Sequence, residues 1–227
     1  MPSLPQRLAA VDERISAAAR SAGRDPAEIT RIVVTKFHPA RLVRELFDLG
    51  VRNFGENRQQ ELTAKAEETS DLDGLRWHFI GQLQTKKARQ VAAHASVVHS
   101  VDRDRIAQAL ERAARPDDHL DVLLQINLTE DAARGGAAPA DILPLAERIA
   151  GSSVLRLRGV MAVAPLDAEP AEAFAELAAH AARVRSIVPD ARWISAGMSA
   201  DLEEAVAAGA THLRIGTAIT GERPSGA

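Results

Sequence analysis

The sequence predicts a single (β/α)8 barrel, and three observations carry that reading. Eight short runs rich in β-branched and apolar residues recur along the chain, with a helix-patterned segment in every gap between them. The chain has 227 residues, a length that accommodates one barrel of this kind. No linker, composition break or low-complexity tract divides it, so residues 1–227 are expected to form one domain. A doubly wound open sheet would show the same alternation. The count of eight favours closure.

Each element has its own justification. Leu4, Leu8, Val11, Ile15 and Ala18 share one helical face, with Arg7, Asp12, Glu13 and Arg14 opposite, which predicts a helix over residues 4–22 closed near Gly23. The barrel proper is expected over about residues 31–222. Ile32, Val33 and Val34 lead into Thr35 and make the first strand, residues 32–35, with Lys36 at its end and the turn signal of Pro39 beyond. Residues 42–49 read as a helix ended by Gly50, residues 51–54 as the second strand, and residues 57–68 as helix again. The third strand is expected over 77–80, with a helix over 85–93. The fourth covers 96–99, followed by a helix over 102–114 with Asp102 in place to cap it. Residues 122–127 form the fifth strand, and a loop over 128–138 carries Gly135 and Gly136. Pro139 is expected to open a helix reaching Ala150. The sixth strand spans 157–163, and an alanine-rich helix spans 169–187 before Pro189. Residues 192–195 make the seventh strand, 199–208 a helix ended by Gly209, and 212–215 the eighth strand.

Bulk properties narrow the function. An apolar fraction of 46% and a charged fraction of 26% fit a soluble globular protein. A net charge of −3 without a long basic run argues against nucleic acid as a partner. No signal peptide and no stretch long enough to span a membrane is visible. The absence of cysteine excludes thiol chemistry and fits a cytoplasmic protein. His78 and His99 lack HxH or HExxH spacing, which argues against a metal, and both read as hydrogen-bonded packing residues. Gly135-Gly136 precedes no Lys-Ser/Thr pair and is no P-loop, and GxSxG is absent.

Barrels place function at the carboxyl ends of their strands. There the sequence puts Lys36, then Asn53 with Gly55-Glu56-Asn57, His78, His99, Asn127, Met161, residues 195–199 and residues 214–217. The loops after strands seven and eight, Ser195-Ala196-Gly197-Met198-Ser199 and Arg214-Ile215-Gly216-Thr217, match the position where barrels bind phosphate through backbone N–H groups and hydroxyls. The bland alternative is that Ser199 caps its helix and the glycines only make turns. A lysine at a strand end can be a solvated terminus, or its amine can attack a carbonyl to form a Schiff base. A phosphate site beside such a lysine points to pyridoxal 5′-phosphate, which carries both the phosphate and the aldehyde. Arg214 would then meet the ring nitrogen as a donor and weaken the ring as an electron sink. Its alternative is an ion pair with Glu56 or Asp102. A barrel that binds a sugar phosphate and uses Lys36 as an aldolase would is the third reading.

The motifs VVTKFHPA, FGENRQQEL, WHFIGQLQTKKAR, HSVD, GVMAVAP and SAGMSADLEEAVAAGATHLRIGTAITGERP, in order over almost the whole chain, resemble the pyridoxal phosphate homeostasis protein family. That family is similar in fold to the N-terminal barrel of alanine racemase. The resemblance implies a Schiff base on Lys36, phosphate contacts at Ser199, Gly216 and Thr217, and a ring-nitrogen contact at Arg214. It places Asn57 and Met198 near the ring. It further implies a carrier or regulator of vitamin B6 pools that hands cofactor to apo-enzymes and has no established turnover. Gln84-Thr85-Lys86-Lys87, Ala196 and Thr220 depart from the family's usual residues, and none of these departures touches Lys36, Ser199 or Arg214.

The chain also bears on carrier against enzyme. Racemases of this fold use a second base, a tyrosine from a separate C-terminal domain, and this chain has no tyrosine. A non-catalytic monomer is therefore expected. An enzyme with weak racemase- or transaminase-like activity, using Lys36 as its only base, is the alternative.

Overall fold

The computed structural model describes residues 2–114, 119–129, 131–165 and 167–222. Residue 130 of the expected loop and the ends of the expected domain, residues 1 and 223–227, lie outside the described residues. Eight parallel strands close into a barrel in chain order. They are β1 (Thr30–Val34), β2 (Asn53–Glu56), β3 (Arg76–Phe79), β4 (Val97–Val101), β5 (Leu120–Gln125), β6 (Leu155–Met161), β7 (Trp193–Ser195) and β8 (His212–Ile215). Closure is made by β8 on β1, in a register running from Thr30 opposite His212 to Val33 opposite Ile215.

Both faces of each strand are covered, which is why the strands read as near-continuous apolar runs. Val33, Phe54, Trp77, Val98, Val122, Ile194 and Leu213 point outward into one core shared with the helices. The residues between them line the lumen, where Val97, Leu123 and Met161 pack with Trp193 as a separate apolar cluster. The helices are α1 (Leu4–Ser21), α2 (Ala40–Asp48), α3 (Gln59–Glu68), α4 (Ala88–His94), α5 (Asp104–Ala113), α6 (Ile142–Ala150), α7 (Pro170–Arg185), α8 (Leu202–Ala207) and α9 (Thr217–Thr220).

α1 starts with a capping box, in which Ser3 Oγ accepts from the Gln6 N–H and Gln6 Oε1 accepts from the Ser3 N–H. It packs on α8 and α9 and is pinned there by arginines. Arg7 Nε donates to the Ile219 carbonyl at 2.7 Å, and Arg14 donates to the Ser199 carbonyl at 3.1 Å while pairing with Glu203. The first helix thus holds the outer side of the loops that follow β7 and β8.

Several boundaries differ from those expected. β1 stops at Val34, so Lys36 sits in the following turn rather than at the strand end. β2 runs through Gly55 and Glu56, because these residues pair in register with His78 and Phe79 of β3. α5 begins at Asp104, and Asp102 pairs with Arg103 instead of capping the helix. α6 begins at Ile142, three residues past the expected Pro139. α8 begins at Leu202, so Ser199 is not its cap. The short α9 was not expected. Among the described residues, no helix is long and apolar enough to cross a membrane, and no cluster of His, Asp or Glu is placed to hold a metal ion.

Candidate functional site

The carboxyl ends of the strands form one mouth, and the candidate residues lie around it at different depths. Arg214 is the floor. It is 5% exposed, and its guanidinium donates to Ser195 Oγ at 2.7 Å and to the Ala162 carbonyl at 2.8 Å, at the ends of β7 and β6. Burial lowers its pKa to about 10, with Asp201 acting the other way, so it stays protonated at neutral pH. Neither proposed carboxylate partner is used: Glu56 pairs with Lys65 and Asp102 with Arg103. Two of the five guanidinium donors are engaged by these two bonds, and a ring nitrogen could meet another only by accepting.

Beneath Arg214 the lumen holds a chain of polar side chains from four further strands. Ser195 Oγ lies 2.9 Å from His99 Nδ1, His99 Nε2 lies 2.9 Å from His78 Nδ1, and His78 Nε2 lies 3.0 Å from Asn53 Oδ1. The direction of this chain follows from its end. Arginine only donates, so Ser195 Oγ accepts from Arg214 and donates its own O–H to His99 Nδ1. His99 then carries its proton on Nε2 and donates to His78, and His78 donates to Asn53. Burial pushes both imidazoles well below their ordinary pKa, and nearby cationic groups act in the same direction. Both are therefore neutral at pH 7, in keeping with the packing role expected of them.

The loops after β7 and β8 come together as the sequence suggests. Ser199 Oγ accepts from the Ala218 N–H at 3.5 Å, which joins the two loops. Gly216 is half-buried and Thr217 exposed at the start of α9, so N–H and hydroxyl donors gather at one rim of the mouth. Gly197 is required by its surroundings. It has φ +87°, and a Cβ there would stand 2.6 Å from Ala205 Cβ. Met198 is among the few large apolar residues left exposed, at 38%, and its N–H donates to Asp201 Oδ1.

Lys36 and Asn57 follow β1 and β2, the strands that continue the mouth beside β8. Lys36 is exposed, one residue past the fully buried Thr35. Asn57 is half-buried, with an Oδ1 that is shielded from solvent and has no partner. Gly81 allows this crowding, because a Cβ there would fall 1.9 Å from the Asn57 carbonyl oxygen. Asn57, Arg58, Phe79, Gln82, Gln84 and Lys87 are among the residues lining a cavity of about 480 Å³ beside the mouth. A second cavity, of about 470 Å³, runs under Phe37, His38, Arg58 and Lys65. Lys36 lines neither of these two cavities.

The arrangement fits a phosphorylated pyridine aldehyde on three counts. An amine and an orphaned amide oxygen lie just past β1 and β2, donors for an anion past the neighbouring β7 and β8, and a fixed cationic donor on the floor. Residue-type reasoning had marked Lys36, Asn57, Met198, Ser199, Arg214, Gly216 and Thr217. It had missed that Ser195, His99, His78 and Asn53 support Arg214, and that Glu56, Glu61 and Lys65 surround the Lys36 turn.

Comparison with known proteins shows the family. The family described as "Alanine racemase, N-terminal domain" matches residues 7–224. A pyridoxal phosphate homeostasis protein of Pseudomonas aeruginosa is 44% identical over 232 residues, covering 100% of this chain and 99% of the relative. One from Escherichia coli is 42% identical over 230 residues, covering 98% of each. PipY of Synechococcus elongatus, solved with PLP bound, superposes with a TM-score of 0.83 at 36% identity, covering 96% of this chain and 100% of PipY. Alanine racemase from Corynebacterium glutamicum shares the fold, with a TM-score of 0.69 at 16% identity over 97% of this chain and 63% of the racemase. With relatives at 42–44% identity matched from end to end, the chain belongs to the pyridoxal phosphate homeostasis protein family, on the alanine racemase N-terminal fold.

Proposed function

We propose that the chain binds pyridoxal 5′-phosphate and acts in its homeostasis, holding the cofactor as a Schiff base on Lys36. Bound there, the cofactor supplies an aldehyde that condenses with a primary amine and a ring that withdraws electrons. The observation that carries the proposal is the placement of three unlike groups around one mouth, on a chain whose relatives bear the homeostasis name. These groups are the Lys36 amine, the Ser199–Ala218 junction and the Arg214 floor. In this reading Ser199, Gly216 and Thr217 hold the phosphate, Arg214 donates to the ring nitrogen, and Asn57 and Met198 flank the ring.

The same groups favour holding over turnover. Arg214 stays protonated and can only donate to the ring nitrogen, which keeps that nitrogen unprotonated and limits carbanion stabilisation. The exposed Lys36 lets cofactor enter and leave. We place the protein in the cytoplasm as a monomeric, single-domain carrier that delivers cofactor to apo-enzymes. The purified protein should show the imine absorbance with added pyridoxal 5′-phosphate and lose it on Lys36→Ala substitution. No band in the wild type would refute cofactor binding. Fold relatives include enzymes, so incubation with amino acids in deuterated water separates the readings: α-proton exchange over many turnovers would establish the weak enzyme instead.

A further inference from the structure

Both peptide groups that flank Lys36 are gripped by a buried ion cluster that no part of the cofactor reading uses. The cluster centres on Lys65 of α3, which is 4% exposed. Its ammonium has three N–H donors, and three acceptors surround it: Glu56 Oε1 at 2.6 Å, the Thr35 carbonyl at 2.8 Å and Glu61 Oε2 at 3.3 Å. The Thr35 carbonyl belongs to the peptide group preceding Lys36. Glu61 Oε2 also accepts from the Phe37 N–H at 2.7 Å, and that N–H belongs to the peptide group following Lys36. Glu56 ties the same corner a second time, because Thr35 Oγ1 donates to its Oε1 at 2.6 Å.

The turn needs such support. Phe37 has φ +68° and is the one non-glycine residue with positive φ among those described. The His38 N–H closes the turn onto the Thr35 carbonyl at 3.0 Å, so that carbonyl serves both the turn and Lys65. The Arg58 guanidinium lies 5.1 Å from the Phe37 ring centroid and adds a contact from the start of α3. Fixing the peptide groups on both sides of one α-carbon fixes the direction in which its Cα–Cβ bond leaves the backbone.

We infer that Lys65, Glu56 and Glu61 are positioning residues that hold the Lys36 turn so that its amine is delivered into the mouth. The cluster touches neither phosphate donors nor the Arg214 floor. It governs how well the amine reaches the aldehyde, not whether the rest of the ligand is bound. The inference rests on Lys36 being the cofactor lysine. In that step the amine nitrogen bonds the aldehyde carbon, and the carbonyl oxygen leaves as water.

The test compares pyridoxal 5′-phosphate with 4′-deoxypyridoxine 5′-phosphate, which keeps the ring and phosphate but has no aldehyde. Three variants are needed. Glu61→Ala removes the acceptor of the Phe37 N–H at a partly exposed position, 21% exposed in its side chain. Glu61→Gln restores an acceptor. Lys65→Met with Glu56→Gln removes the buried charges together, so that neither is left unpaired. Affinity for pyridoxal 5′-phosphate should fall about tenfold to a hundredfold in Glu61→Ala and in the double variant, the scale of loss expected when a reacting group is misplaced by roughly 1 Å. Affinity for the aldehyde-free analogue should stay within about twofold, and Glu61→Gln should recover most of the loss. Equal losses for both ligands, or no loss for either, would overturn the inference. Borohydride reduction of the loaded wild type, with peptide mapping, separates this failure from that of its premise. An adduct away from Lys36 refutes the Schiff-base assignment itself. An adduct on Lys36 with unchanged variants refutes only the positioning role.

Discussion

Replacing Ser195 by Ala should destabilise the barrel by about 2–5 kcal/mol, although it removes a single oxygen atom. Ser195 is fully buried at the end of β7. Its hydroxyl accepts from the Arg214 guanidinium at 2.7 Å and donates to His99 Nδ1 at 2.9 Å. Loss of a hydrogen bond to a charged donor costs about 1.5–3 kcal/mol, and a buried acceptor left without a donor costs about 1–3 kcal/mol more. Arg214 keeps its bond to the Ala162 carbonyl, which holds the sum below the upper limits. For a chain of this size the loss corresponds to a fall in Tm of roughly 4–20 °C. Chemical denaturation of both proteins, with matched m-values, measures the free energy. Long-range 1H–15N correlation reads the tautomers, with His78 and His99 both protonated on Nε2 in the wild type and His99 released from that choice in the variant. A cost under about 0.5 kcal/mol, the range of an ordinary surface substitution, would refute the directed chain. So would a wild-type His99 protonated on Nδ1.

Three further outcomes follow from the same structure. His212 is buried against Trp193, with ring centroids 4.3 Å apart, and its pKa is lowered to about 3 by burial and by Arg76 and Arg158. A histidine whose folded pKa is depressed contributes stability that is present above its unfolded pKa of about 6.5 and is lost as pH falls from there toward about 3. His78 and His99 act in the same direction. Tm should therefore decline through this window, and His212→Gln should flatten the decline; an unchanged slope in the variant would show that His212 does not titrate as stated. Gly197→Ala should cost about 2–5 kcal/mol by denaturation, from a left-handed backbone and overpacking against Ala205, while Gly74→Ala, with φ +81° and open space around it, should cost about 1–2 kcal/mol. Thr217→Val should weaken pyridoxal 5′-phosphate binding about twofold to tenfold in a titration, the worth of one hydrogen bond, without altering the absorbance maximum of the bound form.

The barrel was legible because a parallel strand covered on both faces is written as an unbroken apolar run. His212–Ile215 is bounded where the sequence places it, between Gly209 and Gly216. β2 was harder to read. Gly55 and Glu56 look like a turn, and they are strand because they pair with His78 and Phe79 of β3, which lets the Glu56 side chain meet Lys65 nine positions later and Thr35 twenty-one positions earlier. No local pattern encodes that pairing. α9 is four residues long, too short for a helical period to show. The site divides in the same way. Lys36, Ser199, Arg214, Gly216 and Thr217 are singled out as candidates because barrel function collects where strands end, and residue type picks out the amine, the hydroxyls and the cation there. The support of Arg214 was invisible because Asn53, His78, His99 and Ser195 come from four strands and meet only once the barrel closes. The Lys36 turn was misplaced by its own neighbour. Thr35 is β-branched and reads as strand, and its N–H still donates to the Gly55 carbonyl of β2, but its own carbonyl turns to Lys65 and His38, which ends the strand there.

The central claim is that one amine, at Lys36, holds the cofactor. The purified protein loaded with pyridoxal 5′-phosphate, reduced with borohydride and digested, should yield one pyridoxyl-modified peptide carrying Lys36. Modification at Lys65, Lys86 or Lys87 in place of Lys36, or no modified peptide at all, would contradict it.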